Sequence, residues 1–274
     1  MSDIWEVVRR FGRNLRGRDF VIGDVHGAYD LVLMAMQRAG FDKTRDRLFS
    51  VGDLVDRGPG SYRCRRFLQQ PYVHACRGNH EDMLLQLYAN GEPSKEVLDW
   101  MVRKNGLGWW LEVDNQERAA ILNEIRKLPL AMELETERGK VGFIHADVPD
   151  GMSWQDLLLA LERGDEKVTQ TVLWGRERIR HNNENGVAGV GRLFVGHTPQ
   201  WKGARRFGNV YAVDTGAVFA ELGAEEYARL SMFNVLTMTM AITQARECRL
   251  IDVLDEGGEG LPPFGNYVRS RFPG

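Results

Sequence analysis

Cysteine is scarce in this chain, and its scarcity closes off several kinds of chemistry. Only three cysteines occur, Cys64, Cys76 and Cys248. They lie far apart and form neither a CxxC pair nor a zinc-ribbon spacing, so no disulfide framework and no structural cysteine–zinc site is expected; free thiols in a reducing cytoplasm are the simplest reading. Excess charge is missing too. The formal net charge is -2, so no global field draws in nucleic acid or an anionic membrane. No apolar run is long enough to span a bilayer, and the first residues lack the uninterrupted apolar stretch of a secretory signal. Repeats and low-complexity linkers are absent. What remains is 274 residues with 43% hydrophobic content, enough for one large domain with a substantial core.

The first half alternates short apolar runs with amphipathic stretches. Strands are expected at 19–22, 47–51 and 72–76, and helices at 29–39, 61–69 and from about 80 onward. This order predicts a mainly parallel sheet with crossover helices, an α/β arrangement. Residues 90–127 read as mostly helical and carry Trp100, Trp109 and Trp110, taken as a small satellite core. Further strands are expected at 130–136, 140–144, 192–195, 210–213, 217–222, 226–235 and 239–248, with helices near 153–162 and 165–173. Residues 1–18 read as a basic arm or helix in which Ile4, Val7, Val8 and Phe11 share one face. A single catalytic domain is expected over 19–254, and a loose tail over 255–274.

The informative residues stand directly after the strands. The strand ends read Gly23-Asp24-Val25-His26-Gly27, Gly52-Asp53-Leu54-Val55-Asp56-Arg57-Gly58, Arg77-Gly78-Asn79-His80-Glu81, His145-Ala146-Asp147 and Gly196-His197-Thr198. In α/β sheets ligands gather beyond the carboxyl ends of strands, so these five segments can converge. Imidazole nitrogen with Asp and Asn oxygen, and no thiolate, suits divalent cations such as Mn²⁺, Fe or Zn²⁺. Four of the six histidines fall in these segments.

Asp-Val-His-Gly at 24–27, Gly-Asp-Leu-Val-Asp-Arg-Gly at 52–58 and Gly-Asn-His-Glu at 78–81 resemble the three signature motifs of the PPP phosphatases within the calcineurin-like metallophosphoesterases. The His-Ala-Asp form at 145–147 is similar to the bacterial and bacteriophage-lambda-type serine/threonine protein phosphatases. The resemblance covers about residues 19–250. It implies an α/β metallophosphoesterase sandwich of two mixed sheets flanked by helices, with the site along one edge. It also implies two divalent ions, Mn²⁺ first among them: Asp24, His26 and Asp53 on one, and Asp53, Asn79, His145 and His197 on the other. Arg57 and Arg77 match phosphate-binding arginines, Arg176 is a third candidate on a looser motif, and His80 matches a proton donor oriented by Asp56. The implied reaction is hydrolysis of phosphoserine and phosphothreonine in proteins by direct attack of a metal-bound hydroxide. The implied protein is a cytoplasmic monomer that needs no nucleic acid, membrane or regulatory subunit.

Simpler readings exist for single residues. Asp24 is a competent helix N-cap, Glu81 suits the first turn of a helix, Asp147 can merely end a strand, and His74 reads as core. The basic loop 176–192 reads either as solvated surface or as a reader of phosphopeptides. Two other functions share the motifs. The symmetrical diadenosine tetraphosphate hydrolases are similar through the first three, and Gly58-Pro59-Gly60-Ser61 leans their way, whereas Asp56, Glu81 and Asp147 lean toward the protein phosphatases. A phosphopeptide-binding module without turnover is the non-enzymatic alternative.

Overall fold

The computed structural model describes residues 5–223, 229–244 and 247–252. Twelve strands occur in chain order: β1 (Val8–Phe11), β2 (Asp19–Ile22), β3 (Arg47–Ser50), β4 (Val73–Ala75), β5 (Ala131–Thr136), β6 (Gly139–Ile144), β7 (Arg192–Val195), β8 (Arg205–Phe207), β9 (Val210–Ala212), β10 (Leu230–Asn234), β11 (Thr239–Gln244) and β12 (Glu247–Asp252). They build two six-stranded sheets, ordered β1-β5-β6-β7-β9-β8 and β12-β11-β10-β2-β3-β4. Each sheet is mixed. β2, β3 and β4 run parallel while β10 joins β2 antiparallel. In the other sheet β6, β7 and β9 are parallel while β5 and β8 are antiparallel neighbours.

Strand composition explains the layering. In β2, Phe20 and Ile22 face a core shared with helices, while Val21 faces the opposite sheet. In β7, Leu193 and Val195 face a second helix-covered core, while Phe194 turns inward. Strands buried on both faces carry continuous apolar runs. The inner core between the sheets holds Phe49, Phe143, Phe194 and Tyr211; Phe49 and Phe143 stack at 4.7 Å with planes 4° apart. The helix Tyr29–Arg38 covers one outer face, and the helices Trp154–Glu162 and Glu166–Trp174 cover the other. The order is helices, sheet, sheet, helices, the expected sandwich. Among the described residues no helix is long and apolar enough to cross a membrane.

Three expectations are corrected. Residues 8–11 form β1, parallel to β5, and not a helix, so the sheet begins inside the expected N-terminal arm. Val8 is buried at the domain while Arg10 is exposed and pairs with Glu162; a four-residue segment fits helical and strand periods alike, and pairing with β5 decides it. The expected strand 217–222 is a short helix, Val218–Glu221, entered through Gly216 at φ 78°. The expected strand 239–248 is two antiparallel strands with Gln244 opposite Glu247. No Gly, Asn or Pro separates them in the sequence, so the usual hairpin signal is missing. The strand expected from 226 starts at Leu230; residues 226–228, like the tail 255–274, lie outside the described residues.

Phe49→Ala removes a fully buried ring from the inner core. The expected loss is about 3–5 kcal/mol of unfolding free energy, read as a lower midpoint in urea with an unchanged slope.

Candidate functional site

The carboxyl ends of β2, β3, β4, β6, β7 and β9 meet at one edge of the sandwich, and each delivers a polar side chain there. The backbone bends sharply to do so. Of the seven described non-glycine residues with positive φ, five lie here: His26 (46°), Asp53 (52°), Asp56 (69°), Arg57 (65°) and His197 (68°). L-residues avoid this region at a cost of roughly 1–2 kcal/mol each, so their clustering marks a place where other contacts override local preference. Gly196 shows how tight the edge is: a Cβ there would run into the Asp24 carboxylate.

Asp53 is central. Its Oδ1 accepts the His80 backbone N–H at 3.0 Å and lies 3.4 Å from His145 Nε2; its Oδ2 lies 3.4 Å from His26 Nε2. Asn79 Oδ1 lies 2.8 Å from His145 Nε2 and 2.9 Å from His197 Nδ1. The Asp24 carboxylate accepts the His197 backbone N–H at 3.0 Å. All seven of these residues are buried. Two groups of ligand-type atoms are compact enough to hold an ion: His26 with Asp53 and His80, and Asp53 with His145 and His197.

The hydrogen-bond pattern tests whether cations fit. His26 Nδ1 is 2.7 Å from the Val55 carbonyl and His145 Nδ1 is 3.0 Å from the Val51 carbonyl. A carbonyl only accepts, so Nδ1 carries the proton in both rings and Nε2 presents a lone pair. His26 Nε2 is buried with no partner, as is His197 Nε2, while His145 Nε2 faces another acceptor, Asn79 Oδ1. Buried lone pairs aimed at one another are unfavourable unless something positive sits among them. The electrostatics agree. Burial holds the His26, His145 and His197 rings below the ordinary histidine range, His197 down to about 2. Burial, then Asp214 and Asp53, push Asp24 up; burial pushes Asp214 up to about 6. Neutral imidazoles and strained carboxylates are what divalent cations take as ligands. His80 is different: its Nδ1 is 2.8 Å from Asp56 Oδ2 and its Nε2 is 3.1 Å from Arg57 Nη2. A guanidinium on Nε2 leaves no place for a cation there, so His80 is set apart from the ligand-type histidines.

The arginines divide. Arg57 reaches the cluster through His80. Arg176 lies near it, feeling the charges of Arg57, Asp24 and Asp214. Arg77 does not come to the site. Its guanidinium bonds Asp82 at 3.4 Å and the Arg126 carbonyl at 3.2 Å, and stacks 4.4 Å from the Trp5 ring. In this structure Arg77 is thus held by partners outside the His/Asp cluster.

Other residues matter more than their sequence context suggested. Glu81 is fully buried, and its carboxylate accepts from the backbone N–H groups of Asp53, Leu54, Val55 and Gly78 at 2.7–3.2 Å. Asp147 does more than end a strand, because it binds the N–H and side chain of buried Arg178. Arg192 is buried as well, donating to the Val235 and Leu236 carbonyls, so the segment 176–192 is not simply solvated. His74 is only half-buried and packs between the Phe11 and Phe49 rings. Beside Arg57 opens a groove of about 830 Å³, lined among others by Tyr62, Val102, Trp109, Val113 and Glu112.

A family model described as calcineurin-like phosphoesterase matches residues 20–215. The chain belongs to the calcineurin-like phosphoesterase family. Within it, this phosphoesterase is 34% identical over 205 residues to serine/threonine-protein phosphatase 1 of Salmonella typhimurium, covering 73% of this chain and 87% of that protein. It is 34% identical over 131 residues to a symmetrical bis(5'-nucleosyl)-tetraphosphatase of Klebsiella pneumoniae, covering 47% of this chain and 43% of that one. The fold is shared with a Saccharomyces cerevisiae protein serine/threonine phosphatase similar to human PP5, at TM-score 0.54 and 16% identity over 94% of this chain and 87% of that one. It is also shared with a structure provisionally assigned as a diadenosine tetraphosphatase, at TM-score 0.59 and 18% identity over 86% of this chain and 97% of that one. The family implies divalent metals, and this phosphoesterase has buried His/Asp groups that could hold them.

Cation uptake has a proton signature. Because Asp24 and Asp214 sit above the ordinary carboxylate range while His26, His145 and His197 are already neutral, ionisation on binding comes from the carboxylates. Mn²⁺ binding near pH 6, where Asp214 titrates, is expected to release protons, with fewer coming from these carboxylates as the pH rises. Calorimetric titration in buffers of different ionisation enthalpy reads it; uptake of protons, or no pH dependence, contradicts the assignment.

Proposed function

We propose that this phosphoesterase removes phosphate from phosphoserine and phosphothreonine in proteins. The observation that carries the reading is the Asp56–His80 pair, 2.8 Å apart and buried, with Arg57 on the outer nitrogen of His80 at the rim of the His/Asp cluster. The extent of similarity to the protein phosphatases, 87% of the Salmonella relative against 43% of the dinucleotide hydrolase, supports it.

On this reading Asp24, His26 and Asp53 hold one divalent cation, and Asp53, Asn79, His145 and His197 hold a second. When bound, such a pair neutralises phosphate oxygens and supplies a water acid enough to act as nucleophile near neutral pH. Mn²⁺ is the first choice for this mixed oxygen and imidazole set, with Fe and Zn²⁺ as alternatives. The remaining work falls to the chain itself. Arg57, with Arg176 beside it, offers guanidinium forks that match phosphate geometry. Asp56 accepts from His80 Nδ1, fixing the ring with Nε2 on the Arg57 guanidinium. Arg57 can only donate, so while it contacts Nε2 that nitrogen is unprotonated. A phosphate that takes over the Arg57 fork frees Nε2 to carry a proton. Burial lowers the His80 pKa, but Asp53 and Asp56 outweigh it and the net shift is upward, so a freed Nε2 is protonated readily and can donate to a departing alkoxide. The reading extends to a cytoplasmic monomer acting on phosphoproteins, with one catalytic domain that includes β1.

Hydrolysis of a dinucleoside tetraphosphate is the second reading, favoured by the 34% identity over 131 residues noted above. After chelation and return of Mn²⁺, a phosphoserine/phosphothreonine peptide is expected to show the higher kcat/KM in parallel with diadenosine tetraphosphate; preference for the dinucleotide would move the protein to that branch. His80→Asn is expected to lower kcat on the peptide roughly 10²–10⁴-fold and to cost less on an aryl phosphate.

A further inference from the structure

We infer that Trp109, aided by Gly106, is a positioning residue for the Asp56–His80 pair: its indole N–H fixes the plane of the Asp56 carboxylate, and so the direction of His80 Nε2. The inference rests on the proton-donor reading of His80 for its effect on turnover, but not for its geometry.

Asp56 has no exposure at all and its two oxygens have different partners. Oδ2 takes His80 Nδ1 at 2.8 Å, and Oδ1 takes Trp109 Nε1 at 2.8 Å across 53 residues of chain. A carboxylate held at one oxygen can rotate about its Cβ–Cγ bond; held at both, it cannot. Trp109 is itself fixed, 8% exposed and packed edge-on to Trp110 at 5.1 Å. An indole nitrogen is a donor only, so this contact has one polarity, with Trp109 donating and Asp56 accepting.

The same turn grips the neighbouring residue. Asp56 and Arg57 are consecutive left-handed residues, which the chain does not adopt unaided. The Arg57 N–H donates to the Gly106 carbonyl at 3.0 Å. Gly106 ends the helix Lys95–Asn105 at φ 75°, and a Cβ on it would lie 2.6 Å from Arg57 Cα. Residues 106–109 therefore brace both side chains that meet on His80, from a helical segment that carries none of the ligand-type residues.

Trp109→Phe keeps an aromatic ring while removing the donor and part of the indole volume. In the full-length Mn²⁺-loaded enzyme it is expected to lower kcat about tenfold on a phosphoserine peptide and by less than about threefold on 4-nitrophenyl phosphate, whose leaving group needs no proton, with KM and bound metal unchanged. In His80→Asn the same substitution is expected to cost nothing further, since both would act through one proton. Equal loss on both substrates while His80→Asn discriminates between them, or an additive loss in the double variant, overturns the inference. A direct readout does not depend on any variant folding or on turnover. In ¹⁵N-labelled wild-type protein the Trp109 indole proton should be shifted downfield and exchange far more slowly than those of Trp100 and Trp201, which are 51% and 44% exposed; exchange as fast as theirs overturns it. Failure of the underlying reading shows elsewhere, as a His80→Asn variant that loses equally on both substrates while the Trp109 signal stays protected.

Discussion

Four backbone N–H groups converge on the carboxylate of Glu81, and the shape of the site depends on that contact. The segment 52–57 must leave β3, deliver Asp53 inward, and set Asp56 and Arg57 on the two nitrogens of His80. It does so through left-handed backbone at Gly52, Asp53, Asp56 and Arg57. Such a path exposes successive N–H groups that no sheet or helix satisfies, and an unpaired buried N–H is costly. Glu81 answers three of them at Asp53, Leu54 and Val55, and a fourth at Gly78. It also ties the β3 exit to the β4 exit, because it sits in the first turn of the helix Asn79–Leu87. The arrangement is electrostatically tense. Burial, and then the Asp53 charge, push the Glu81 carboxyl up to about 7, while its N–H donors pull it down. A positive charge held by Asp53 relieves that tension, so cation binding and the backbone geometry that presents Asp56 and Arg57 support each other.

The sandwich distributes this burden over both sheets. Asp24, Asp53 and Asn79 come from the sheet containing β2, β3 and β4, whereas His145, His197 and Asp214 follow strands of the other. Neither sheet alone carries both groups of ligand-type atoms, so the site exists only where the sheets pack. The aromatic inner core, with Phe49, Phe143 and Phe194 stacked in a row, sets their separation. Below the second group, Asp147 holds Arg178 and thereby the short helix Glu177–Arg180 that follows Arg176. A charged pair buried this deeply contributes little net stability, but breaking it is expensive, which suits a contact that places Arg176 more than one that strengthens the fold.

Much of this was legible in the sequence, for a physical reason. Strands buried on both faces are continuous apolar runs, and residues beyond their carboxyl ends must converge, so Asp24, His26, Asp53, Asn79, His145 and His197 could be brought to one edge from their context alone. What was not legible depended on contacts distant in sequence. Glu81 looked like an ordinary first-turn acid, since its partners lie 26–28 residues away. Trp109 looked like packing, because nothing in Gly-Trp-Trp-Leu hints at Asp56. Arg77 adjoins a motif, and its contacts with Asp82, Trp5 and the Arg126 carbonyl were equally invisible in the sequence. β1 was hidden by its brevity, and β11 and β12 by the lack of a turn residue between them.

The choice between substrates comes down to the leaving group. Cleaving a dinucleoside tetraphosphate expels a nucleotide phosphate, an anion already stable near neutral pH, and such a departure gains little from a proton donor. Serine and threonine alkoxides are far more basic, and their departure gains much. The chain devotes a buried carboxylate, a histidine set apart from its ligand-type neighbours and an indole from a distant helical segment to holding one imidazole nitrogen beside Arg57. Buried polar groups held so tightly restrict the backbone and contribute little stability. Their arrangement is economical for an enzyme that must protonate an alkoxide and wasteful for one that need not. The proposed phosphoprotein substrate therefore rests on chemistry that the dinucleotide does not require, as well as on the longer similarity to the protein phosphatases.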